Sequence, residues 1–205
     1  MSLCKSAVIL AGGKSTRMRF DKQLLVINKK RLVYDLAEKL KQNFEEIIIV
    51  TNKPQYYVDC DYKIVSDEIQ ESGPLSGIYT GLKNSNSEYV YFVACDMPNI
   101  DNNYIKYLKS IVTNKKDIYI TKLDKFIEPF HGIYKKSLFT EIEDFLLNNK
   151  AKSVKSFLEY KNKYVYNLDK EDFEYNNLKK SIFQNLNNKQ DLYKYREEFK
   201  NYGGN

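Results

Sequence analysis

Short apolar runs alternate with amphipathic stretches along this chain. The uninterrupted apolar run at residues 46–50 is typical of a strand buried on both faces of a parallel sheet. Apolar residues spaced three and four apart at residues 32–40 predict an amphipathic helix instead. By the same criteria, further strands are predicted at residues 7–10, 64–65, 89–95, 118–120 and 130–134, with a late strand-like piece at 181–183. Further helices are predicted at residues 78–82, 103–112, 137–148, 153–160 and 189–199.

This alternation predicts an α/β fold with a mostly parallel, doubly wound central sheet. Right-handed crossovers would place helices on both faces of that sheet, which makes three layers. Ligands of such sheets bind outside the carboxyl ends of the strands. The residues at those ends are Gly12, Gly13, Asn52, Asp67 and Asp96, and they define the predicted site.

The stretch after the first strand, residues 10–22, combines a glycine turn with a basic loop. Two adjacent glycines allow successive backbone N–H groups to converge on an anion. Four positive charges follow within nine residues, at Lys14, Arg17, Arg19 and Lys22. A phosphate chain is the simplest ligand, although a Gly-Gly turn after a strand is also common punctuation. The P-loop and the dinucleotide glycine fingerprint are both absent, because their glycine positions hold other residues.

Asp96 follows the predicted strand at residues 89–95 and precedes Met97-Pro98, which ends that strand. A carboxylate beside a phosphate-binding loop suits Mg²⁺, which takes oxygen ligands from one or two carboxylates and from substrate phosphates. The alternative is that Asp96 only caps a turn. Asp67 is open between a nucleoside contact, a metal ligand and a turn cap, and Asn52 between a ligand contact and a turn residue. The single histidine, His131, lies in a strand pattern that favours a structural role.

Composition narrows the possible classes of protein further. A length of 205 residues with 42% hydrophobic residues predicts one domain spanning residues 1–205. The net charge of +6 is compatible with an anionic substrate, but the lysines are dispersed, so nucleic-acid binding has little support. Three cysteines without C-x-x-C spacing indicate neither a disulfide framework nor a zinc site and fit a reducing cytoplasm. The apolar runs are far shorter than the roughly 20 residues that a membrane-spanning helix needs.

The motifs together resemble a known family. L-A-G-G-K-S-T-R-M at residues 10–18, followed by D-K at 21–22, resembles the signature L-A-G-G-x-S-x-R-M-G-x-D-K of molybdenum cofactor guanylyltransferases. The match continues in order through T-N at 51–52, Asp67, G-P-L-S-G at 73–77, C-D-M-P at 95–98, E-P at 128–129 and N-L-N at 185–187. The resemblance implies a Rossmann-like nucleotidyltransferase fold. It also implies transfer of GMP from magnesium-bound GTP to the terminal phosphate of molybdopterin, with release of pyrophosphate.

The resemblance also implies a role for each matching residue. Lys22 would bind the phosphates with help from Arg17, Asn52 and Asp67 would lie on the nucleoside side, and Asp96 would bind Mg²⁺. The residues expected to contact the guanine nucleotide in the first motif are Leu10, Ala11, Gly12 and Gly13.

The C-terminal motif implies that Asn185 and Asn187 lie on the pterin side of the site. GTP and molybdopterin are then the expected small-molecule substrates, and transient contacts with other proteins of molybdenum cofactor biosynthesis or with target proteins are also expected. This chain departs from the family at Arg19, where a glycine is usual. Two alternatives stay open: a related nucleotidyltransferase that uses CTP or another nucleotide with a different phosphorylated acceptor, and a catalytically silent nucleotide-binding module.

Overall fold

The computed structural model of the protein describes residues 3–12, 21–69, 73–123, 126–169 and 182–202. The strands in these ranges are β1 (Cys4–Leu10), β2 (Val26–Ile27), β3 (Lys30–Arg31), β4 (Glu46–Thr51), β5 (Lys63–Ser66), β6 (Tyr89–Ala94), β7 (Ile118–Leu123), β8 (Phe126–Lys135) and β9 (Val165–Asp169). The α-helices are α1 (Leu32–Leu40), α2 (Pro74–Asn84), α3 (Asn102–Ile111), α4 (Leu138–Asn148), α5 (Val154–Tyr160) and α6 (Lys189–Tyr202).

In the part of the chain that the structure describes, seven of the strands form one sheet in the order β5-β4-β1-β6-β8-β7-β9. β1 lies between β4 and β6 and pairs in parallel with both, with Ile9 opposite Ile49 and Val93. β8 pairs antiparallel with β6 and β7, and β9 pairs in parallel with β7. Only β8 therefore runs against the other strands of this sheet, which confirms the prediction of a mostly parallel sheet.

Side chains of β1 alternate between two hydrophobic cores, one on each face of the sheet. Ala7 and Ile9 belong to the core that also contains the apolar faces of α1 and α3. Val8 and Leu10 belong to the core formed with α2, α4 and α5. Helices thus cover both faces of the sheet, which confirms the predicted three-layer architecture. None of the helices in the described ranges is long and apolar enough to cross a membrane.

Three features differ from the predictions. The two-residue strands β2 and β3 pair with each other, and β9 adds an edge to the main sheet; neither was predicted. The strand-like piece predicted at residues 181–183 was wrong at Ile182 and Phe183, which form a turn, while residue 181 lies outside the described residues. Both turn residues are buried in the core, and Phe183 makes edge-on ring contacts with Tyr104 and His131. Their apolar character therefore reflects packing and not strand formation.

Candidate active site

A cavity of about 890 Å³ lies at the carboxyl ends of β1, β4, β5 and β6. The described residues that were predicted at strand ends, Gly12, Asn52, Asp67 and Asp96, all line it. Leu10, Ala11, Lys22 and Asn185 also line this cavity. Gly13 and Arg17, together with Lys14 and Arg19, lie outside the described residues. The strand-end rule therefore brings together four predicted residues that are far apart in the sequence.

The first of these strand ends is fixed by its neighbours on both sides. The N–H of Ala11 donates to the carbonyl of Val50 at 2.8 Å, and the N–H of Cys95 donates to the carbonyl of Leu10 at 3.0 Å. A methyl group placed on Gly12 would meet no atom of the described residues within 4 Å. The backbone at Gly12 is thus held in place while its side-chain position stays open to the cavity.

Lys22 and Asp96 form an ion pair at the edge of this cavity. Lys22 Nζ lies 2.6 Å from Asp96 Oδ2, and their side chains are only 19% and 15% exposed. Lys22 Nζ also donates to Asn187 Oδ1 at 3.0 Å, and the N–H of Leu186 donates to the carbonyl of Asp96 at 2.8 Å. Lys22, the end of β6 and the C-terminal motif therefore meet at one point. Charge-assisted hydrogen bonds of this kind are stronger than neutral ones.

Asp67 connects the end of β5 to the first turns of α2. Its carboxylate accepts hydrogen bonds from the hydroxyl groups of Ser76 at 2.8 Å and Thr80 at 3.4 Å. Burial raises the pKa of Asp67 above its usual value, and these hydrogen bonds lower it in part. Gly73, at the start of the helix, has a φ of +67°, a conformation that favours glycine. The helix start and the carboxylate are thus both fixed at the cavity wall.

Sequence reasoning missed Gln23, whose side chain is only 2% exposed. Its amide Nε2 donates to Asn52 Oδ1 at 3.1 Å, and its Oε1 accepts from the hydroxyl groups of Thr51 and Tyr57. Asp21, next to it, accepts from the N–H of Gln23 and forms an ion pair of 2.6 Å with Lys53. The sequence gives little signal for Gln23, because its partners come from 28 to 34 residues further along the chain.

Glu128 was part of the motif match, but no role was predicted for its carboxyl group from the sequence. It lies on β8 and accepts a hydrogen bond from the N–H of Phe130 at 3.0 Å. Burial, and in smaller part the negative charge of Asp96, raises the pKa of Glu128 from 4.5 to about 7. The structure therefore places Glu128 within electrostatic reach of Asp96.

His131 does not line the cavity and is completely buried. Its Nδ1 lies 2.5 Å from the hydroxyl oxygen of Tyr91, and its backbone carbonyl accepts from Tyr104. Burial lowers the pKa of His131 from 6.5 to about 3, so the ring is neutral at physiological pH. These contacts agree with the structural role that its strand pattern favoured.

The described residues contain no group of three His, Cys, Asp or Glu side chains that could hold a metal ion by itself. Mg²⁺ does not need such a cage when it binds together with a substrate, because water and phosphate oxygens complete its coordination. Asp96 at the cavity wall, with Glu128 nearby, fits a metal ion of that kind. The donor set therefore suits a metal that arrives with a triphosphate.

The strand order of the sheet reverses beside β1, and the cavity lies at that point, as ligand sites do in open α/β sheets of the Rossmann-like class. The crystal structure of molybdopterin-guanine dinucleotide biosynthesis protein A from Archaeoglobus fulgidus matches this chain with a TM-score of 0.80 and 21% identity. The match covers 96% of this chain and 99% of that chain. At that identity the match shows the shared fold alone.

The sequence comparisons narrow the class to a family. The model of the MobA-like NTP transferase domain matches residues 7–164. A "probable molybdenum cofactor guanylyltransferase" of Peptoclostridium acidaminophilum is 43% identical over 93% of this chain and 87% of its own length. The molybdenum cofactor guanylyltransferase of Syntrophotalea carbinolica is 47% identical over 69% of this chain and 68% of its own length.

The chain belongs to the MobA-like NTP transferase family, and it is a nucleotidyltransferase. Enzymes of this family typically use a divalent metal ion. The resemblance described from the motifs is thereby confirmed at the level of family and enzyme class.

Proposed function

We propose that this enzyme acts in molybdenum cofactor biosynthesis and transfers GMP from magnesium-bound GTP to the terminal phosphate of molybdopterin. The names of the relatives at 43% and 47% identity support this proposal. The observation that carries it is the meeting of Lys22, Asp96 and the C-terminal motif beside a cavity that Asn52 and Asp67 also line. The residues proposed to bind the phosphates, the metal ion and the nucleoside thus lie around one cavity.

In this reaction an oxygen of the acceptor phosphate attacks the α-phosphorus of GTP. The bond between the α-phosphorus and its bridging oxygen breaks, and pyrophosphate leaves. No general base is needed, because a phosphate monoester with a second pKa near 6 is already largely ionised at neutral pH. Catalysis then rests on positioning and on neutralising charge, as in other phosphoryl-type transfers.

Lys22 would bind the phosphates, with Arg17 beside it in the basic loop. Asp96 would hold Mg²⁺, and Glu128, whose pKa the charge of Asp96 helps to raise, would assist through water. When bound, Mg²⁺ supplies positive charge that offsets the charge on the triphosphate. Because Lys22 and Asp96 neutralise each other across 2.6 Å, they must exchange these contacts for the phosphates and the metal when the nucleotide binds.

Asn52 and Asp67 would contact the nucleoside, and the backbone of residues 10–13 would lie along the nucleotide. Asn185 lines the cavity and Asn187 accepts a hydrogen bond from Lys22, which supports a place for both near the reacting phosphates, on the acceptor side. The open position at Gly12 supports close approach of the nucleotide to this backbone.

The test is pyrophosphate release from GTP with Mg²⁺ and molybdopterin. We expect release with GTP and little release with CTP. Equal release with CTP would favour the related nucleotidyltransferase that uses another nucleotide. An absence of release with every nucleotide, together with intact GTP binding, would favour the silent module.

Asp96→Asn should lower turnover about 100-fold or more, because loss of one transition-state charge interaction has an effect of that order. The amide can still accept a hydrogen bond from Lys22, so the fold should persist. Asp35→Asn is the matched control, since Asp35 pairs with Lys39 on the surface of α1 and does not line the cavity. Unchanged turnover in Asp96→Asn would contradict the proposed role of this carboxylate.

A further inference from the structure

Gln23 is a buried polar residue between two hydroxyl groups and the cavity residue Asn52. The hydroxyl of Thr51 accepts a hydrogen bond from the N–H of Lys53 at 3.0 Å, which leaves its own proton to donate. The Tyr57 side chain is buried, and burial raises the pKa of its hydroxyl, so this group also keeps its proton. Both protons need an acceptor, because leaving a buried donor without a hydrogen bond is destabilising.

Gln23 Oε1 is the acceptor that both hydroxyl groups reach. The opposite rotation of the amide would turn its NH₂ group toward two hydroxyl protons and leave them without that acceptor. The contacts therefore fix the orientation of the amide, with Nε2 pointing at Asn52.

The orientation of the Asn52 amide is fixed in turn by Gln23. Its Oδ1 accepts from Gln23 Nε2 at 3.1 Å, so its Nδ2 is the group left for other partners. Asn52 is exposed and lines the cavity. An amide that would otherwise offer either a donor or an acceptor is thus limited to one polarity on its cavity side.

We propose that Gln23 is a positioning residue that sets the hydrogen-bond polarity of Asn52, so that Asn52 offers an N–H donor to an acceptor atom of the bound nucleoside. That acceptor is N7 or O6 of the purine base or one of the two ribose hydroxyl oxygens. Gln23 also lines the cavity, but its amide oxygen and nitrogen are engaged by Thr51, Tyr57 and Asn52, so we expect it to act on the nucleotide through Asn52.

The main chain of Gln23 is held as firmly as its side chain. The Arg31 guanidinium donates from Nε and one terminal nitrogen to the Gln23 carbonyl, at 3.2 and 2.8 Å. The same guanidinium lies 4.7 Å from the ring centres of both Tyr34 and Tyr57. Arg31 thus contacts both the Gln23 carbonyl and the ring of Tyr57, whose hydroxyl orients the Gln23 amide. These contacts help to hold Gln23 in one geometry.

The first test uses the ligand-free protein, so it does not depend on the reaction. Side-chain amide hydrogen exchange, measured by NMR, should show slow exchange for the NH₂ of Gln23 and fast exchange for the NH₂ of Asn52. In Gln23→Glu at pH 8, the carboxylate can accept but cannot donate, so the Asn52 NH₂ should turn inward and exchange slowly. Fast exchange at Gln23 with slow exchange at Asn52 in the unsubstituted protein would overturn the proposal.

The second test measures binding of magnesium-bound nucleotides by calorimetry. Gln23→Glu should bind GTP about 10- to 100-fold more weakly. In this variant Asn52 would turn its own acceptor, Oδ1, toward the acceptor atom of the nucleoside. Gln23→Met, of similar volume and without charge, leaves Asn52 free to take either orientation, so it should bind GTP more weakly than the unsubstituted protein even if the glutamate variant fails to fold. Gln42→Glu is the matched control, since Gln42 accepts a hydrogen bond from Asn102 and does not line the cavity.

Analogues identify the acceptor atom. 7-Deaza-GTP lacks N7, the triphosphate of 2-aminopurine riboside lacks O6, and 2′-deoxy-GTP and 3′-deoxy-GTP each lack one ribose hydroxyl. For one of them the unsubstituted protein should lose about tenfold in affinity relative to GTP, while Gln23→Glu should show no further loss. Additive losses for all four analogues would overturn the proposal.

The part of this inference that concerns the nucleoside rests on the proposed function. An unsubstituted protein that binds no GTP would refute that function. The exchange pattern of the two amides would still decide the polarity of Asn52.

Discussion

The carboxyl group of Glu128 lies on β8, where burial and the charge of Asp96 both favour its protonated form. A carboxyl whose pKa is higher in the folded protein than in the unfolded chain binds more protons in the folded state between those two values. Its contribution to stability is therefore complete below the unfolded pKa and is lost as the pH rises through the folded pKa. For Glu128 this loss of stability extends from a pH of 4.5 to a pH of about 7.

We expect the free energy of unfolding to fall by about 3 kcal/mol across this window through Glu128 alone, because each pKa unit corresponds to about 1.4 kcal/mol. Glu128→Gln should remove this dependence, so that the variant gains stability relative to the original protein as the pH rises. Urea unfolding in a chelator from pH 4.5 to 8 measures the difference. Glu45→Gln is the control, since Glu45 forms an exposed pair with Lys5. Parallel curves for the Glu128 variant and the original protein would contradict the prediction.

Residues at strand ends could be predicted from the sequence, whereas their partners could not. Asn52, Asp67 and Asp96 follow recognisable strands, and parallel strands bring their carboxyl ends to one edge. Gln23 follows no strand of the main sheet, and its importance depends on hydroxyl groups brought to it by β4 and the turn at Pro54–Tyr57. The Glu128 pKa likewise depends on the antiparallel pairing of β8 with β6, which the apolar pattern does not report.

Among the elements, α2 is unusual in how closely it approaches the sheet. Every residue from Leu75 to Leu82 is buried, including two glycines. A methyl group on Gly81 would lie 2.8 Å from Phe92 Cε1 and 2.9 Å from Val8 Cγ1, and one on Gly77 would lie 3.0 Å from Leu10 Cδ2. These glycines bring the helix against β1 and β6, so they set the position of the cavity wall that α2 forms. The G-P-L-S-G motif thus includes a packing glycine as well as residues that line the cavity.

Gly81→Ala and Gly12→Ala should separate packing from binding. Forcing a methyl group into a packed core costs typically 1–3 kcal/mol, which exceeds the roughly 1 kcal/mol that alanine gains over glycine in a helix. Because two contacts under 3.0 Å place the cost in the upper part of that range, we expect Gly81→Ala to lower the free energy of unfolding by about 1–2 kcal/mol. Gly12→Ala should change stability little, since its methyl group meets no atom in the part of the chain that the structure describes, but it should weaken nucleotide binding at the cavity. Urea unfolding and calorimetry of both variants decide this, and a Gly81→Ala protein of full stability would refute it.

The elements that the sequence predicted are those with a clear hydrophobic period. The first helix was predicted from residues 32, 33, 36, 37 and 40, and these are the residues that α1 buries. β2 and β3 have only two residues each, which is too short for any period to appear. The sequence of β9, V-Y-N-L-D, mixes polar with apolar residues at the edge of the sheet and carries no strong strand pattern.

Across the whole molecule, the site joins segments that are distant in the chain. Lys22, Asp96 and Asn187 belong to the N-terminal third, the middle and the C-terminal motif, and two hydrogen bonds from Lys22 connect them. The C-terminal segment also contributes Ile182, Leu186 and other buried residues to the core beneath this point. This continuity is compatible with one domain over residues 1–205, which stays a prediction.

Nucleotide binding should therefore stabilise the whole molecule and not only the cavity. At a GTP concentration 100 times the dissociation constant, a ligand that binds only the folded state adds about 2.7 kcal/mol of stability. For a chain of this size, each kcal/mol shifts the melting temperature by about 2–4 °C, so we expect magnesium-bound GTP to raise it by about 5–10 °C. CTP at the same concentration should raise it less, and a chelator should reduce the effect of GTP.

The Lys22→Gln variant tests whether Lys22 exchanges its ion pair with Asp96 for contacts with the phosphates. The measurement is the shift in melting temperature that GTP causes. If Lys22 leaves Asp96 to bind the phosphates, the variant should lose most of the shift measured from its own ligand-free baseline. Lys39→Gln, which removes a surface partner of Asp35 on α1, should keep the full shift. A Lys22→Gln protein that GTP stabilises as much as it stabilises the original would mean that Lys22 stays paired with Asp96 and serves the fold. Because the two variants each remove one lysine that forms an ion pair, the comparison isolates the place of the charge and not its number.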